Sequence, residues 1–219
     1  MTDRIVAISG AAGGLGPVVA RAFFDAGAKL AVAGRNEESL VRLLDSLGAP
    51  GDRRLATATD LTDETAARAW AGRVRERFGG VDVVLHLVGG YKGGASIAEI
   101  ETADWDALHA MLVRTTLNVA RAFNPLLKAS GRGRFIGVTS PRAQSPTAKS
   151  ALYSMGKAAS DALVLALADE LRGTGSTANL IVVDSIDGLE EEIAAAMLFL
   201  CSDRAATING VRLPLTGRG

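Results

Sequence analysis

The chain has 219 residues, of which 48% are apolar, and its 24 basic side chains balance 24 acidic ones. This length predicts one sizeable core and a single domain over residues 1–219. The net charge of zero argues against nucleic acid or a membrane surface as a partner, because no excess field would attract either. The single cysteine, Cys201, excludes an internal disulfide, and the start of the chain shows no signal-peptide pattern, so we expect a cytoplasmic protein.

Short apolar runs alternate with longer helical patterns along the chain. The predicted strands are residues 5–9, 29–33, 55–59, 81–88, 134–139, 179–183 and 211–215. The predicted helices are residues 14–26, 37–47, a segment that opens at Thr62, and residues 102–128, 150–172 and 190–200. This alternation with short connections predicts right-handed crossovers and an α/β fold, a doubly wound parallel sheet flanked by helices.

Three glycines, Gly10, Gly14 and Gly16, follow the first predicted strand. A glycine-rich turn between a strand and a helix lets the backbone approach a dinucleotide pyrophosphate, and the free N–H groups of the helix attract the phosphates. The spacing Gly-x-x-x-Gly-x-Gly differs from the commoner Gly-x-Gly-x-x-Gly. The turn therefore predicts a dinucleotide site, and a purely structural glycine turn is the alternative.

A second group of polar residues, Ser140, Tyr153 and Lys157, indicates proton-transfer chemistry. The Tyr-x-x-x-Lys spacing places the phenol and the ammonium on one face of a helix, one turn apart. There the ammonium is expected to lower the pKa of the phenol, so that Tyr153 acts as general acid or base. The alternatives are a chance pairing and, for Ser140, a hydroxyl that bonds its own backbone, with Ser145 as a nearby rival.

These motifs occur in the order and at the separations of the short-chain dehydrogenase/reductase family, which the chain resembles along nearly its whole length. The matching residues are Gly10-x-x-x-Gly14-x-Gly16, Asp60-Leu61, Gly89-Gly90, Ser140 and Tyr153-x-x-x-Lys157. The resemblance implies a Rossmann-type fold with a seven-stranded sheet, NAD(P) as hydride carrier, and a homodimer or homotetramer. The helices over 102–128 and 150–172 are expected to pair across a two-fold axis.

The resemblance also implies a role for each matching residue. Tyr153 gives or takes the substrate proton, Lys157 holds the nicotinamide ribose hydroxyls, and Ser140 hydrogen-bonds the substrate oxygen. Asp60 contacts the adenine amino group, and the Gly89-Gly90 pair leaves room for the adenosine ribose. The cofactor-binding residues are then Gly10, Gly14, Leu15, Gly16, Arg35, Asp60, Leu61, Gly89, Gly90, Tyr153 and Lys157.

The end of the second predicted strand favours NADP(H) over NAD(H). An acidic side chain there would bind the ribose hydroxyls of NAD and repel a 2′-phosphate. This chain instead has Gly34-Arg35-Asn36, with no carboxylate and with a guanidinium that can pair with a phosphate. The alternative is that Arg35 only caps or solvates the loop.

Two departures from the family pattern concern the chemical end of the site, which is the region around Ser140, Tyr153 and Lys157 where proton and hydride transfer are expected. Leu112 stands where the family usually has an asparagine that helps to hold a relay water, and Asn118 is about 240° further around the helix. In addition, residues 183–188 replace a Pro-Gly pair and a nicotinamide-contacting threonine, and they lead almost directly into the next helix. A substrate lid of roughly two dozen residues is therefore missing near 184–189. Either the protein lacks this lid or the sequence omits it.

Together these features predict an oxidoreductase that transfers a hydride between NADP(H) and a small carbonyl or alcohol substrate. The alternative is a catalytically idle NAD(P)-binding protein with a regulatory or scaffold role, which Leu112 and the missing lid favour. The segment 90–94 is expected to lie at the mouth of the active site. His86 and His109 have no Cys/His cluster nearby, so they are interpreted as core or surface residues and no metal site is predicted.

Overall fold

The computed structural model describes residues 1–216, which form a seven-stranded parallel sheet with helices on both faces. The strands are β1 (Ile5–Ser9), β2 (Lys29–Gly34), β3 (Arg54–Ala58), β4 (Val83–His86), β5 (Arg134–Thr139), β6 (Thr177–Val182) and β7 (Arg212–Pro214). Their order across the sheet is β3-β2-β1-β4-β5-β6-β7. After β3 the chain crosses over to the other side of β1, so the switch point of the sheet lies between the neighbouring strands β1 and β4. A Rossmann-type fold has this arrangement, so the predicted fold class is confirmed.

Helices cover both faces of this sheet. They are α1 (Gly16–Asp25), α2 (Glu37–Ser46), α3 (Glu64–Phe78), α4 (Thr102–Leu108), α5 (Thr115–Ser130), α6 (Ala151–Glu170) and α7 (Glu190–Leu200). Alternate strand residues face opposite layers: Val6 and Ile8 pack with α1, α2 and α7, whereas Ala7 packs with α3, α5 and α6. Within residues 1–216, no helix has the length and apolar character required to span a bilayer.

The long helix predicted before β5 contains a π-helical segment in the structure. α4 passes into a π-helical segment, His109–Arg114, before α5 begins. Thr115 Oγ1 donates to Met111 O at 2.6 Å. Thr116 Oγ1 donates to Leu112 O, also at 2.6 Å. Such back-bonding competes with the regular helical ladder. The helical pattern predicted over 102–128 is present, with a π-helical segment inside it, and π-bulges are common at functional sites.

The helix predicted to open at Thr62 begins later, at Glu64. Asp63 is its N-cap, because the carboxylate accepts from Thr65 N at 2.7 Å and from Ala66 N at 3.2 Å. The acidic residue after Thr62, rather than the threonine itself, therefore sets the start of α3.

Candidate active site

The turn between β1 and α1 depends on glycine at two positions. Gly10 has a φ of +74°, and a Cβ on it would lie 2.9 Å from Val88 N. A Cβ on Gly16 would overlap the carbonyl oxygen of Ala11. The backbone therefore packs tightly against itself. α1 starts without a side-chain cap, but Gly16 N donates to Gly13 O at 3.0 Å and Pro17 has no N–H, so fewer N–H groups than usual remain at this helix start. An anionic pyrophosphate fits such a helix start.

Gly14 and Leu15 complete the predicted phosphate-binding turn in different ways. The space above Gly14 is limited by Ile186, whose Cδ1 would lie 3.5 Å from a Cβ at this position. Leu15 buries its side chain in the core cluster that contains α1 and α7. Leu15 therefore contributes its backbone, rather than its side chain, to the turn.

The residues predicted to bind the adenosine end lie just beyond β2 and β3. Arg35 follows β2 and is exposed. Asp60 follows β3, and its Oδ1 accepts from Thr62 N at 2.9 Å and from Thr62 Oγ1 at 2.8 Å. These bonds, aided by the positive charge of Arg35, hold the pKa of the Asp60 carboxyl below its usual value. The structure therefore brings an ionised Asp60 and the guanidinium of Arg35 to the same edge of the sheet.

The loop that carries Asp60 is held in place by α5. Leu61 is a core residue, and Asn118 Nδ2 donates to Leu61 O at 3.0 Å and to Thr62 O at 3.1 Å. Asn118 is therefore committed to the adenosine end of the site, which agrees with the prediction that it does not replace the relay asparagine near Lys157.

Gly89 and Gly90 follow β4 and lie beside the chemical end of the site. A Cβ on Gly89 would lie 3.7 Å from Lys157 Nζ, and a Cβ on Gly90 would lie 2.9 Å from Met111 Cε. The absence of side chains at these two positions leaves space next to the lysine. A ribose that binds there can approach the backbone closely.

Lys157 lies on α6 and is buried, with 7% of its surface exposed. Its Nζ donates to Val138 O at 2.9 Å and lies 5.8 Å from the centroid of the Tyr153 ring. Burial lowers the pKa of the ammonium to about 8, and the carboxylate of Asp161 opposes this shift. Lys157 is therefore mostly charged at neutral pH and titrates at mildly alkaline pH.

The expected lowering of the Tyr153 pKa is wrong for this structure. Burial raises the pKa of the phenol, the Ser140 hydroxyl partly opposes this shift, and the negative charge of Asp184 adds to it. Lys157 does not reverse the shift because its ammonium is itself desolvated and bonded to the Val138 carbonyl. Tyr153 is therefore a protonated phenol at neutral pH, which is the state that donates a proton.

Ser140 follows β5 directly and is buried. Its Oγ accepts from Arg142 N at 3.3 Å, so the hydroxyl has the local backbone partner that was one alternative. The same hydroxyl interacts with the phenol of Tyr153, whereas Ser145 is exposed in the following loop. The structure therefore brings together Ser140, Tyr153 and Lys157, as the sequence predicted.

The segment 90–94 lies beside Tyr153, at the edge of the candidate site where the sequence predicted it. The Tyr91 ring packs edge-on against the Tyr153 ring, with centroids 5.0 Å apart, and 67% of Tyr91 is exposed. Gly94 N donates to Lys149 O at 2.7 Å, which fixes the segment to the loop before α6. The Tyr91 ring therefore lies between solvent and the Tyr153 ring on this side of the site.

His86 is a core residue, but it also braces the site from below, which the sequence did not reveal. Its Nδ1 lies 2.8 Å from Ser9 Oγ and its Nε2 lies 3.0 Å from Thr116 Oγ1. Burial, with the nearby charge of Lys157, lowers the pKa of the imidazole to about 3, so the ring is neutral. Across residues 1–216, His, Cys, Asp and Glu side chains form no group of three that could bind a metal ion.

The connection between β6 and α7, residues 183–189, borders both ends of the site. Asp184 is exposed, and its charge acts on Tyr153. Ile186 is partly buried and approaches Gly14. This is the place where the sequence predicts that a lid is missing, and the described chain passes through these residues directly into α7.

Comparisons with known proteins agree with the fold and with the family resemblance. A family model described as short chain dehydrogenase matches residues 4–188. An uncharacterized oxidoreductase of Staphylococcus aureus (strain USA300) is 28% identical over 187 residues, which are 85% of this chain and 80% of that protein. A short chain dehydrogenase of Pseudocercospora fijiensis (strain CIRAD86) is 32% identical over 176 residues, which are 80% of this chain and 57% of that protein.

A solved structure shows the same architecture. The crystal structure of sorbitol-6-phosphate 2-dehydrogenase from Erwinia amylovora matches with a TM-score of 0.91 and 23% identity. The match covers 97% of this chain and 98% of that one. At this level of identity the similarity establishes the fold.

Proposed function

Since the chain belongs to the short-chain dehydrogenase family, and is thus an NAD(P)-dependent oxidoreductase, we propose that it transfers a hydride between NADP(H) and a small carbonyl or alcohol. The observation that carries this proposal is the convergence of the Ser140 and Tyr153 hydroxyls next to the buried Lys157. Two hydroxyls that meet at one point suit a single substrate oxygen, which favours carbon–oxygen over carbon–carbon chemistry.

In the reducing direction, negative charge develops on the substrate oxygen. Tyr153 donates its phenolic proton to that oxygen, and Ser140 donates a hydrogen bond to it. Lys157, as an ammonium, stabilises the phenolate that remains on Tyr153. NADP(H), when bound, supplies or accepts the hydride. The raised pKa of the Tyr153 phenol supports this direction, because the free protein then holds the transferable proton at neutral pH.

The residues at the β1–α1 turn fit a dinucleotide, because the tight glycine backbone leaves the start of α1 open to a pyrophosphate. The preference for NADP(H) is supported by Arg35, which takes the place of a ribose-binding carboxylate after β2. Among the described residues Arg35 forms no salt bridge, so its guanidinium is available to a 2′-phosphate.

The catalytic assignment is tested with Tyr153→Phe, by following NADPH oxidation with a panel of aldehydes and ketones. We expect turnover to fall by about 100-fold or more, because general acid catalysis is lost, while NADPH binding changes little. Tyr91→Phe is the matched control, since it removes a hydroxyl from the neighbouring ring and should retain most of the activity. Parental turnover in Tyr153→Phe would disprove the assignment.

The cofactor assignment is tested with Arg35→Ala, by measuring KM for NADPH and for NADH separately. We expect the KM for NADPH to rise about tenfold or more, whereas the KM for NADH changes little, because only NADPH carries the phosphate. Arg42→Ala, which removes an exposed arginine paired with Glu38 on α2, is the control. An equal effect of Arg35→Ala on both cofactors would argue against a phosphate contact.

The second candidate is an NAD(P)-binding protein without turnover, acting as a regulator or scaffold. Leu112, an apolar residue buried next to Lys157, favours it, and so does the short connection after β6. This candidate requires NADPH binding without oxidation by any member of the carbonyl panel. One clear substrate would eliminate it.

We also expect a homodimer or homotetramer that pairs through α5 and α6. Both helices carry exposed apolar side chains, Leu117 on α5 and Met155 on α6, which supports burial against a second copy. Sedimentation of the parent and of Met155→Glu tests this expectation, and a monomeric parent would contradict it.

A further inference from the structure

Asp161 is a buried carboxylate on α6, one helical turn beyond Lys157 and on the same helix face. None of its surface is exposed. One oxygen, Oδ2, accepts from Arg212 Nε at 2.9 Å, and Arg212 belongs to β7. The other oxygen, Oδ1, has no hydrogen-bond partner among the described residues. A buried carboxylate with an unused oxygen is costly to the fold, which calls for an explanation beyond packing.

Asp161 and Lys157 both line a small cavity of about 10 Å³. This volume is near the lower limit for one water molecule. Its lining includes the polar side chains of His86, Thr116, Lys157, Ser160 and Asp161, together with apolar residues such as Leu112. Ser160 Oγ and Thr116 Oγ1 both donate to Leu112 O, so these hydroxyls already have partners. Lys157 and Asp161 are therefore the two charged residues that line this cavity.

The other titratable groups near Lys157 do not balance its charge. His86, from β4, is neutral because burial lowers the pKa of its imidazole to about 3. Tyr153, one turn earlier on α6, is a protonated phenol, since its pKa is raised. Asp184, after β6, is exposed, so water screens its charge. Among these groups Asp161 is the buried counter-charge to the ammonium.

We propose that Asp161 is a positioning residue which, paired with Arg212 through one oxygen and lining the same cavity as Lys157, keeps Lys157 protonated and ready to act on Tyr153. Asp161 on α6 and Arg212 on β7 then supply charged groups near the buried Lys157, where Leu112 offers only an apolar side chain. The proposal rests on the proposed function for its effect on turnover, but its effect on the charge of Lys157 holds whether or not the protein is catalytic.

The charge of Lys157 is measured directly by NMR, as the pH titration of the lysine ¹³Cε signals in protein labelled at lysine. The chain has five lysines, and Lys157→Arg identifies the signal that belongs to Lys157. We expect a midpoint near pH 8 in the parent protein. In Asp161→Asn, the midpoint should move to lower pH by about 1 unit or more, because a nearby opposite charge is lost. An unchanged midpoint in folded Asp161→Asn overturns the proposal.

Arg212→Gln provides a second variant, which moves the midpoint the other way. Without the guanidinium, the carboxylate of Asp161 has Lys157 as its nearest cation, so the Lys157 midpoint should rise. This variant decides the question if Asp161→Asn does not fold, and a fall or no change would count against the proposal. Asp169→Asn, at an exposed acid further along α6, is the control and should leave the midpoint in place.

The rate measurement separates this proposal from the proposed function. If Asp161→Asn shifts both the NMR midpoint and the pH profile of kcat to lower pH, with KM for substrate little changed, both proposals stand. A shift of the NMR midpoint in a protein without turnover supports the role of Asp161 and refutes the oxidoreductase proposal for this site. A pH profile that shifts without the NMR midpoint refutes the role of Asp161 alone.

Discussion

Two connections meet at the carboxyl edge of the sheet, the β1–α1 turn and the β6–α7 connection, and they are built differently. In the β1–α1 turn backbone packs on backbone, so that a Cβ on Gly16 would overlap the carbonyl oxygen of Ala11. In residues 183–189 side chains border the site: the charge of Asp184 acts on Tyr153, and Ile186 approaches Gly14. The nucleotide end therefore depends on backbone geometry, whereas side chains that can be exchanged set the conditions at the chemical end.

The largest expected effect comes from breaking the backbone packing of the first connection. Gly16→Ala forces the turn apart, because its Cβ meets main-chain atoms that cannot rotate away. We expect a loss of about 3 kcal/mol in the free energy of unfolding and the loss of NADPH binding. Urea unfolding and a fluorescence titration with NADPH measure the two effects.

Gly72→Ala is the matched control for this change. Gly72 lies inside α3, and a Cβ there would have no atom within 4 Å. Alanine should stabilise the helix by about 0.5–1 kcal/mol, because glycine loses more backbone entropy on folding. Equal and small effects of the two substitutions would show that the turn is more tolerant than its packing indicates.

His86 supports the first connection from below, since it bonds Ser9 at the end of β1. The pKa of its buried imidazole is about 3, well below the ordinary value of 6.5, so the unfolded chain takes up this proton at higher pH than the folded protein. The folded protein should therefore lose stability as the pH falls from 6.5 towards 3, by about 1.4 kcal/mol per pH unit from this group. Urea unfolding at pH 7 and at pH 5 measures the loss.

His86→Gln isolates the contribution of this imidazole from that of the carboxyl groups. Glutamine cannot gain the proton, so the stability difference between parent and variant should shrink by about 2 kcal/mol between pH 7 and pH 5. His109→Gln, at the partly exposed histidine beside Trp105, keeps His86 and should keep the parental pH dependence. A constant difference between parent and His86→Gln would mean that the imidazole takes up its proton over the same pH range in the folded protein and in the unfolded chain.

The alternation of strands and helices, the spacing on the predicted helix and the family resemblance were enough to predict the fold and which of the main site residues lie close together. Strand and helix alternation predicted the sheet, and the turn on α6 that separates Tyr153 from Lys157 predicted that the two lie on one helix face. Ser140 at the end of β5 was selected through the resemblance, whose motif has a serine at this separation before Tyr153. The alternation and the helix spacing are local or repeat at a fixed period, so no knowledge of the packed core was needed for them.

Features that depend on burial and on distant partners were not predictable in this way. The raised pKa of Tyr153 follows mainly from desolvation, which only the packed structure reveals. The Arg212 bond to Asp161 joins residues on different elements, and nothing in the spacing of the two predicts it. The π-helical segment at His109–Arg114 depends on the Thr115 and Thr116 hydroxyls, whose local competition with the helix has a weak sequence signal.

The smallest expected effect tests whether the second connection tunes the chemistry through side chains. The negative charge of Asp184 raises the pKa of the Tyr153 phenol, so Asp184→Asn should lower that pKa. Reduction requires the protonated phenol, so the alkaline limb of its pH–rate profile should move to lower pH. The shift should be a fraction of a pH unit and should vanish at high salt, because an exposed charge is screened. Asp187→Asn, in the same connection, should leave the profile in place, and equal shifts in both variants would show a general charge effect.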